Sequence, residues 1–184
     1  MNLIEVLIVG HLIADFPLQT GWIYRFKTES WLGVVLHSSI HVLVTALLVR
    51  PLPAAWPMLA ILGILHFITD FTKLQMPTKR QSPGFVADQL VHLLVVLLLG
   101  YYWQGVVFAA LPSILTLPLI LYGSFLGLMI FFWVLACDLA KGDWGEHPTI
   151  QWAKDNLLML SQYAGLSLVF FLAQRWHRNI ERSS

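Results

Sequence analysis

Charge is what this chain of 184 residues has least of: Asp, Glu, Lys and Arg make up 11% of it, against about 25% in soluble domains. Hydrophobic residues take 58% and mean hydropathy is +0.72. A compact soluble fold of this size cannot hide so much apolar surface, so the chain falls in the membrane class. An excess of positive charge is also missing, with a net charge of +1. No basic stripe or arm is available to neutralise phosphates, which excludes nucleic acid as a partner. Cys137 stands alone, so neither a disulfide framework nor a cysteine metal knot can form. No Lys or Arg precedes Arg25, and His11 and Asp15 interrupt the first apolar run. The amino terminus therefore reads as a retained helix rather than a cleaved signal peptide.

What is present in quantity is long apolar sequence. A helix needs about 20 apolar residues to cross the hydrocarbon core, and six stretches qualify: roughly 3–23, 32–50, 55–74, 85–103, 113–137 and 153–175. The expectation is an all-α membrane protein of about six spanning helices in one domain, 1–184, with residues 1–103 as a four-helix core and 104–184 as two further helices and a polar loop. Short connections favour antiparallel neighbours. Pro112 and Pro118 interrupt the apolar run between Gln104 and Pro118, which reads as interfacial or re-entrant. On six spans, Arg25, Lys27, Lys73, Lys79, Arg80, Lys141 and Lys154 fall on one side, and Arg50, Arg175, Arg178 and Arg182 on the other. The first side is then cytoplasmic by the positive-inside rule. Trp22, Trp31, Trp103 and Trp152 lie at span ends as aromatic belts would.

Four pairs of ionisable residues share one spacing: His11-x3-Asp15, His37-x3-His41, His66-x3-Asp70 and Asp88-x3-His92. Residues four apart lie one above the other on a helix face, close enough to ligate one ion or two neighbouring ions. Each of the first four spans carries one pair, alternately late and early in its span, so an up-down bundle brings all eight to one depth. An Asp at a helix centre costs about 2.5–3.5 kcal/mol, so burial of three calls for compensation. Imidazole with carboxylate suits zinc ahead of iron or manganese, and eight donors allow one or two divalent ions. Hydrogen bonding between helices without metal is the bland alternative for any single pair; four pairs at matched depth favour metal or proton chemistry.

Gln19 and Gln89 are candidates to orient ligands or substrate, with interfacial packing as the rival reading. Lys73 reads as a snorkelling side chain, Thr45 as a helix residue bonded to backbone. Asp138, Asp143, Glu146 and His147 read as a solvated loop between Asp138 and Thr149, and His177 among Arg175, Arg178 and Arg182 as an interfacial anchor.

The run His11-Leu-Ile-Ala-Asp15-Phe-Pro-Leu-Gln19-Thr, with His37-x3-His41, His66-Phe-Ile-Thr-Asp70 and Asp88-Gln-Leu-Val-His92, resembles the DUF3307 family of uncharacterised bacterial membrane proteins over about residues 5–100. More distantly, His66-x3-Asp70 is similar to the His-x3-Asp element of YdjM-like membrane-bound metal-dependent hydrolases, without that group's arginine-containing signature. The first resemblance implies a bacterial membrane protein and the second metal-dependent hydrolysis, a chemistry that a His/Asp-rich site with spare coordination at head-group depth also suits. The leading expectation is a hydrolase of a phosphoester or similar bond in a lipid or amphiphile, its metal site in the cytoplasmic-side leaflet. His11, Asp15, His37, His41, His66, Asp70, Asp88 and His92 are the metal-ligand candidates, and Asp15 or Asp88 the candidate general base. The rivals are a metal-ion or proton-coupled transporter, a di-iron redox enzyme and a structural subunit.

Overall fold

A computed structural model describes residues 2–76 and 79–183, with side chains described through Ser167 and at Phe170. Its helices are α1 (Leu3–Asp15), α2 (Gly21–Glu29), α3 (Trp31–Leu48), α4 (Leu52–Gln75), α5 (Gln81–Trp103), α6 (Ser113–Leu139) and α7 (Pro148–Ser183). Two short strands, β1 (Val49–Arg50) and β2 (Phe108–Ala109), pair antiparallel. Among the described residues, four helices, α3 to α6, are long and apolar enough to cross a membrane.

The expected first span, 3–23, is two helices instead. Asp15 is the last residue of α1; Pro17 has no N–H with which to continue the ladder, and Thr20 caps a new helix through its hydroxyl to the Ile23 amide. With 13 residues, α1 is about 20 Å long, short of the roughly 30 Å hydrocarbon core. Hydropathy misleads here because apolar residues continue past the helix end. The stretch expected to be interfacial or re-entrant divides in two: Phe108–Ala109 pairs with β1, and residues 113–118 open α6. Pro112 is the N-cap of α6, and Pro118 lies inside that helix near its start, where it removes one bond rather than ending the helix. The sixth expected span falls in α7, and its residues 168–169 and 171–175 lie outside the described side chains, as do Arg175, His177, Arg178 and Arg182. Pro77 and Thr78, in the turn expected after α4, also lie outside the described residues.

α1, α3, α4 and α5 close a four-helix ring, with α1 touching both α3 and α5. Gly10 faces Thr45 and Gly100 faces Ile4, so α1 runs antiparallel to both neighbours. α6 runs parallel to α1: Leu12 meets Gly123, and Phe16 meets Gly127. A Cβ on Gly123 would stand 2.7 Å from Leu12 Cβ, so the close approach of these two helices requires glycine there. α7 returns antiparallel along α6, the Tyr122 hydroxyl donating to the Ala164 carbonyl and the Trp133 indole to that of Lys154.

The ring is divided lengthwise. One half is an apolar core around Leu7, Met58, Leu59, Leu62, Val96 and Leu99, closed at its end by β1 and β2. The other half contains nearly all the buried ionisable side chains. Outward faces carry exposed Leu43, Leu47, Ile64, Leu94 and Leu121, a surface suited to hydrocarbon rather than to water.

Candidate metal centre

The i, i+4 geometry places His11 above Asp15 on α1, His37 above His41 on α3, His66 above Asp70 on α4, and Asp88 above His92 on α5. α1 ends at Asp15, and the turn into α2 leaves that carboxylate at the mouth of the ring. All eight side chains are buried. They converge, and the site end of each helix is the one expected.

Asp15 lies at the centre of the first group. Its Oδ1 is 2.8 Å from His41 Nε2 and 3.1 Å from His37 Nε2, with His66 Nε2 at 3.9 Å. Asp70 organises the second: Oδ2 is 3.2 Å from His66 Nε2, and Oδ1 is 3.7 Å from His92 Nε2. Two sets of donors are compact enough to hold an ion: Asp15, His37, His41 and His66, and His66, Asp70 and His92, the donor atoms of each lying within 4.8 Å of one another. Metal–donor bonds of about 2.0–2.2 Å put tetrahedral donors roughly 3.3 Å apart, close to these separations. His66 belongs to both sets.

The donor atoms themselves test the fit. His66 Nε2, His92 Nε2, Asp70 Oδ1 and Asp88 Oδ1 are buried and make no hydrogen bond. Each such atom costs about 1–3 kcal/mol when left bare, and here they cluster within a single group of side chains. The imidazoles crowd together: His41 and His66 lie tilted at 3.6 Å, and His66 stacks on His92 at 4.1 Å, between centroids. Two cationic rings at that distance would repel by about 4 kcal/mol even at an effective dielectric of 20, whereas neutral rings are the form that ligates metals. A buried His/Asp cluster of this composition could bind a metal ion.

His11 and Asp88 lie beside the two sets rather than within them. His11 Nε2 is 3.6 Å from Asp15 Oδ2 and 3.4 Å from Gln89 Oε1. The Gln89 amide donates to Asp15 Oδ2 at 3.0 Å, so Gln89 does orient a ligand. Gln19 lies beyond the end of α1, not on its helical stripe, and accepts from Lys27 Nζ at 3.4 Å. Asp88 pairs with Lys73 at 2.8 Å and stands 3.4 Å from His92 Nε2. Lys73 is thus an ion-pair partner of the site, where the sequence suggested a snorkelling side chain.

Lys27 is the residue that sequence reasoning missed. Its ammonium sits 2.7 Å from Asp70 Oδ2 and is largely buried. Asp138 was read as part of a solvated loop; it is a buried residue of α6. Its Oδ2 accepts from the Ser82 amide at 2.7 Å, capping α5, whose own N-cap residue Arg80 makes no side-chain cap.

Next to the cluster lies a cavity of about 300 Å³, with Asp15, Asp70, Asp88, Lys27, Lys73, Gln19 and Gln89 on its polar side and apolar and aromatic residues such as Tyr24, Trp133 and Leu158 on the rest of its wall. The family model described as a protein of unknown function, DUF3307, matches residues 3–118, which include all eight ligand candidates and both lysines. The chain belongs to the DUF3307 family. The DUF3307 match ends within α6, so Asp138 and α7 lie outside it. No curated protein and no solved structure matches the chain.

Proposed function

We propose that the protein is a membrane-embedded, metal-dependent hydrolase of the bacterial inner membrane that cleaves a phosphoester or similar bond in a lipid or amphiphile, with zinc as the preferred metal and the site in the cytoplasmic-side leaflet. The observation that carries the reading is the open cavity beside the donor sets: a closed structural ion needs no chamber, whereas a catalytic one keeps a position free. A divalent ion held by Asp15, His37, His41 and His66, or by His66, Asp70 and His92, supplies Lewis acidity and an activated water near neutral pH.

The protein's own groups divide the remaining work. Asp15 Oδ1 is taken up by His37 and His41, and its Oδ2 by Gln89. Asp88 lies outside both donor sets and keeps Oδ1 free of hydrogen bonds, with its other oxygen held by Lys73. Asp88 is therefore the better general base of the two carboxylates that the sequence nominated, and its Oδ1 is the atom that takes the proton. Gln89 holds Asp15 in orientation, and Lys27 fixes Asp70 through their ion pair.

The test is hydrolysis of a broad panel of phospholipids and alkyl phosphates by purified, zinc-loaded protein. Asp88→Asn should lower kcat by roughly 10²–10⁴-fold while leaving the metal in place. A well-folded, metal-loaded protein that cleaves nothing on the panel would sink the proposal.

A further inference from the structure

The chamber that holds these charged groups is not isolated from the lipid-facing surface. A second cavity of about 560 Å³ runs along the cleft between α5 and α6, floored by α1. Its walls are apolar, with Phe85, Leu90 and Leu93 on α5 facing Leu128 and Phe131 on α6. Leu90 and Leu128 are among the exposed apolar residues, so the cleft opens sideways toward hydrocarbon. Phe16, Phe85 and Gln89 line both this cleft and the chamber. Gln89 stands where they meet, its amide on Asp15 and its carbonyl toward His11.

The chamber's charge says what kind of head belongs there. Asp15, Asp70 and Asp88 contribute three negative charges and Lys27 and Lys73 two positive ones, which leaves one negative charge with the imidazoles neutral. One divalent ion reverses that to one positive charge, in surroundings where an uncompensated charge is costly. An anionic head balances the loaded chamber; a cationic head does not. Lys73 also lies 5.6 Å from the centre of the Phe85 ring, at the boundary where head would give way to chain.

We propose that the α5–α6 cleft holds the hydrocarbon chain of a membrane amphiphile whose anionic, phosphate-type head lies in the chamber beside Lys27 and Lys73. This deepens the hydrolase reading and rests on it for the bond that is broken, but the binding site stands or falls separately. The amphiphile enters laterally from the bilayer, head toward Gln89, and its reacting bond arrives at the His/Asp cluster without the chain leaving an apolar environment. Occupancy requires the metal, because the metal-free chamber repels the head.

The experiment is photolabelling of zinc-loaded protein in nanodiscs with a hexadecyl phosphate bearing a mid-chain diazirine. Label should concentrate on α5 residues 85–96 and α6 residues 124–131. Unlabelled hexadecyl phosphate should compete at least about tenfold better than hexadecyl trimethylammonium, and chelation should abolish that preference. Ser124→Trp, at an exposed position on the cleft wall, should cut labelling there by about fivefold or more while metal content stays at the wild-type level. Leu128→Trp serves the same purpose if the first variant fails to fold. Label spread evenly over α3 to α6, or equal competition by both heads, overturns the proposal even if lipid is hydrolysed. Concentrated, phosphate-selective labelling without hydrolysis upholds it and removes the hydrolase reading instead.

Discussion

His66 is the residue on which the two donor sets depend, since both include it. Replacing a group that merely orients a ligand costs about 10–100-fold in metal affinity, and losing a donor common to both sets should cost more. His66→Ala is expected to bind zinc at least about 100-fold more weakly than wild type. His11→Ala, which removes a neighbour of Asp15 but no member of either set, should lose about tenfold. Elemental analysis of detergent-purified protein, with competitive chelator titration, measures both; equal losses would mean that His11 is a ligand in its own right. The eight residues of this cluster were legible in the sequence because helical spacing and depth leave a local signature. Lys27 left none. It sits on a separate short helix, and its partner Asp70 is far along the chain, so only the turn at Phe16–Thr20 brings them together. Lys73 was visible but ambiguous: one turn from the helix end, a lysine that snorkels and a lysine that pairs with Asp88 look the same in sequence.

Helix ends were harder to read than helices. α3, α4 and α5 stand close to their expected spans because each is an apolar run bounded by polar residues or proline. The first span failed since hydropathy does not register a missing N–H at Pro17, and α6 continues through Pro118 despite the interior hydrogen bond lost there. The cap of α5 could not be foreseen at all, because the capping carboxylate comes from another helix. Asp138→Ala should reduce stability by about 0.5–2 kcal/mol, the usual worth of an N-cap. Denaturation in mixed detergent micelles would read this out, and an unchanged midpoint would show that the Ser82 amide finds another acceptor. The α1–α6 contact offers a harsher test. Gly123 and Gly127 place Leu12 and Phe16 against the α6 backbone, a spacing of small residues that permits close helix approach. Gly123→Val should destabilise by about 1–3 kcal/mol through overpacking, with Ser124→Val as a control of similar bulk on the exposed side.

At the scale of the whole molecule, the set around Asp15 draws on three helices, whereas His66, Asp70 and His92 need only the consecutive α4 and α5. Asp15 comes from α1, His37 and His41 from α3, His66 and Asp70 from α4, and His92 from α5. At about 5–20 residues per second, a ribosome takes roughly 3–10 s to travel from Asp15 to His66, the last member of its set. During that interval the short α1 carries a carboxylate with no complete set of partners and has too little length to hold itself across a bilayer. A chain cut after Arg50, before the helix that carries His66, should therefore leave a cysteine at Ala14→Cys open to a water-soluble maleimide. The full chain, with Cys137→Ser to remove the native thiol, should bury that position, since Ala14 is fully enclosed. Protection already present in the shortened chain would refute the order. On this view biosynthesis runs outside in: three later helices build an empty berth, and α1, translated before them, is the last to dock.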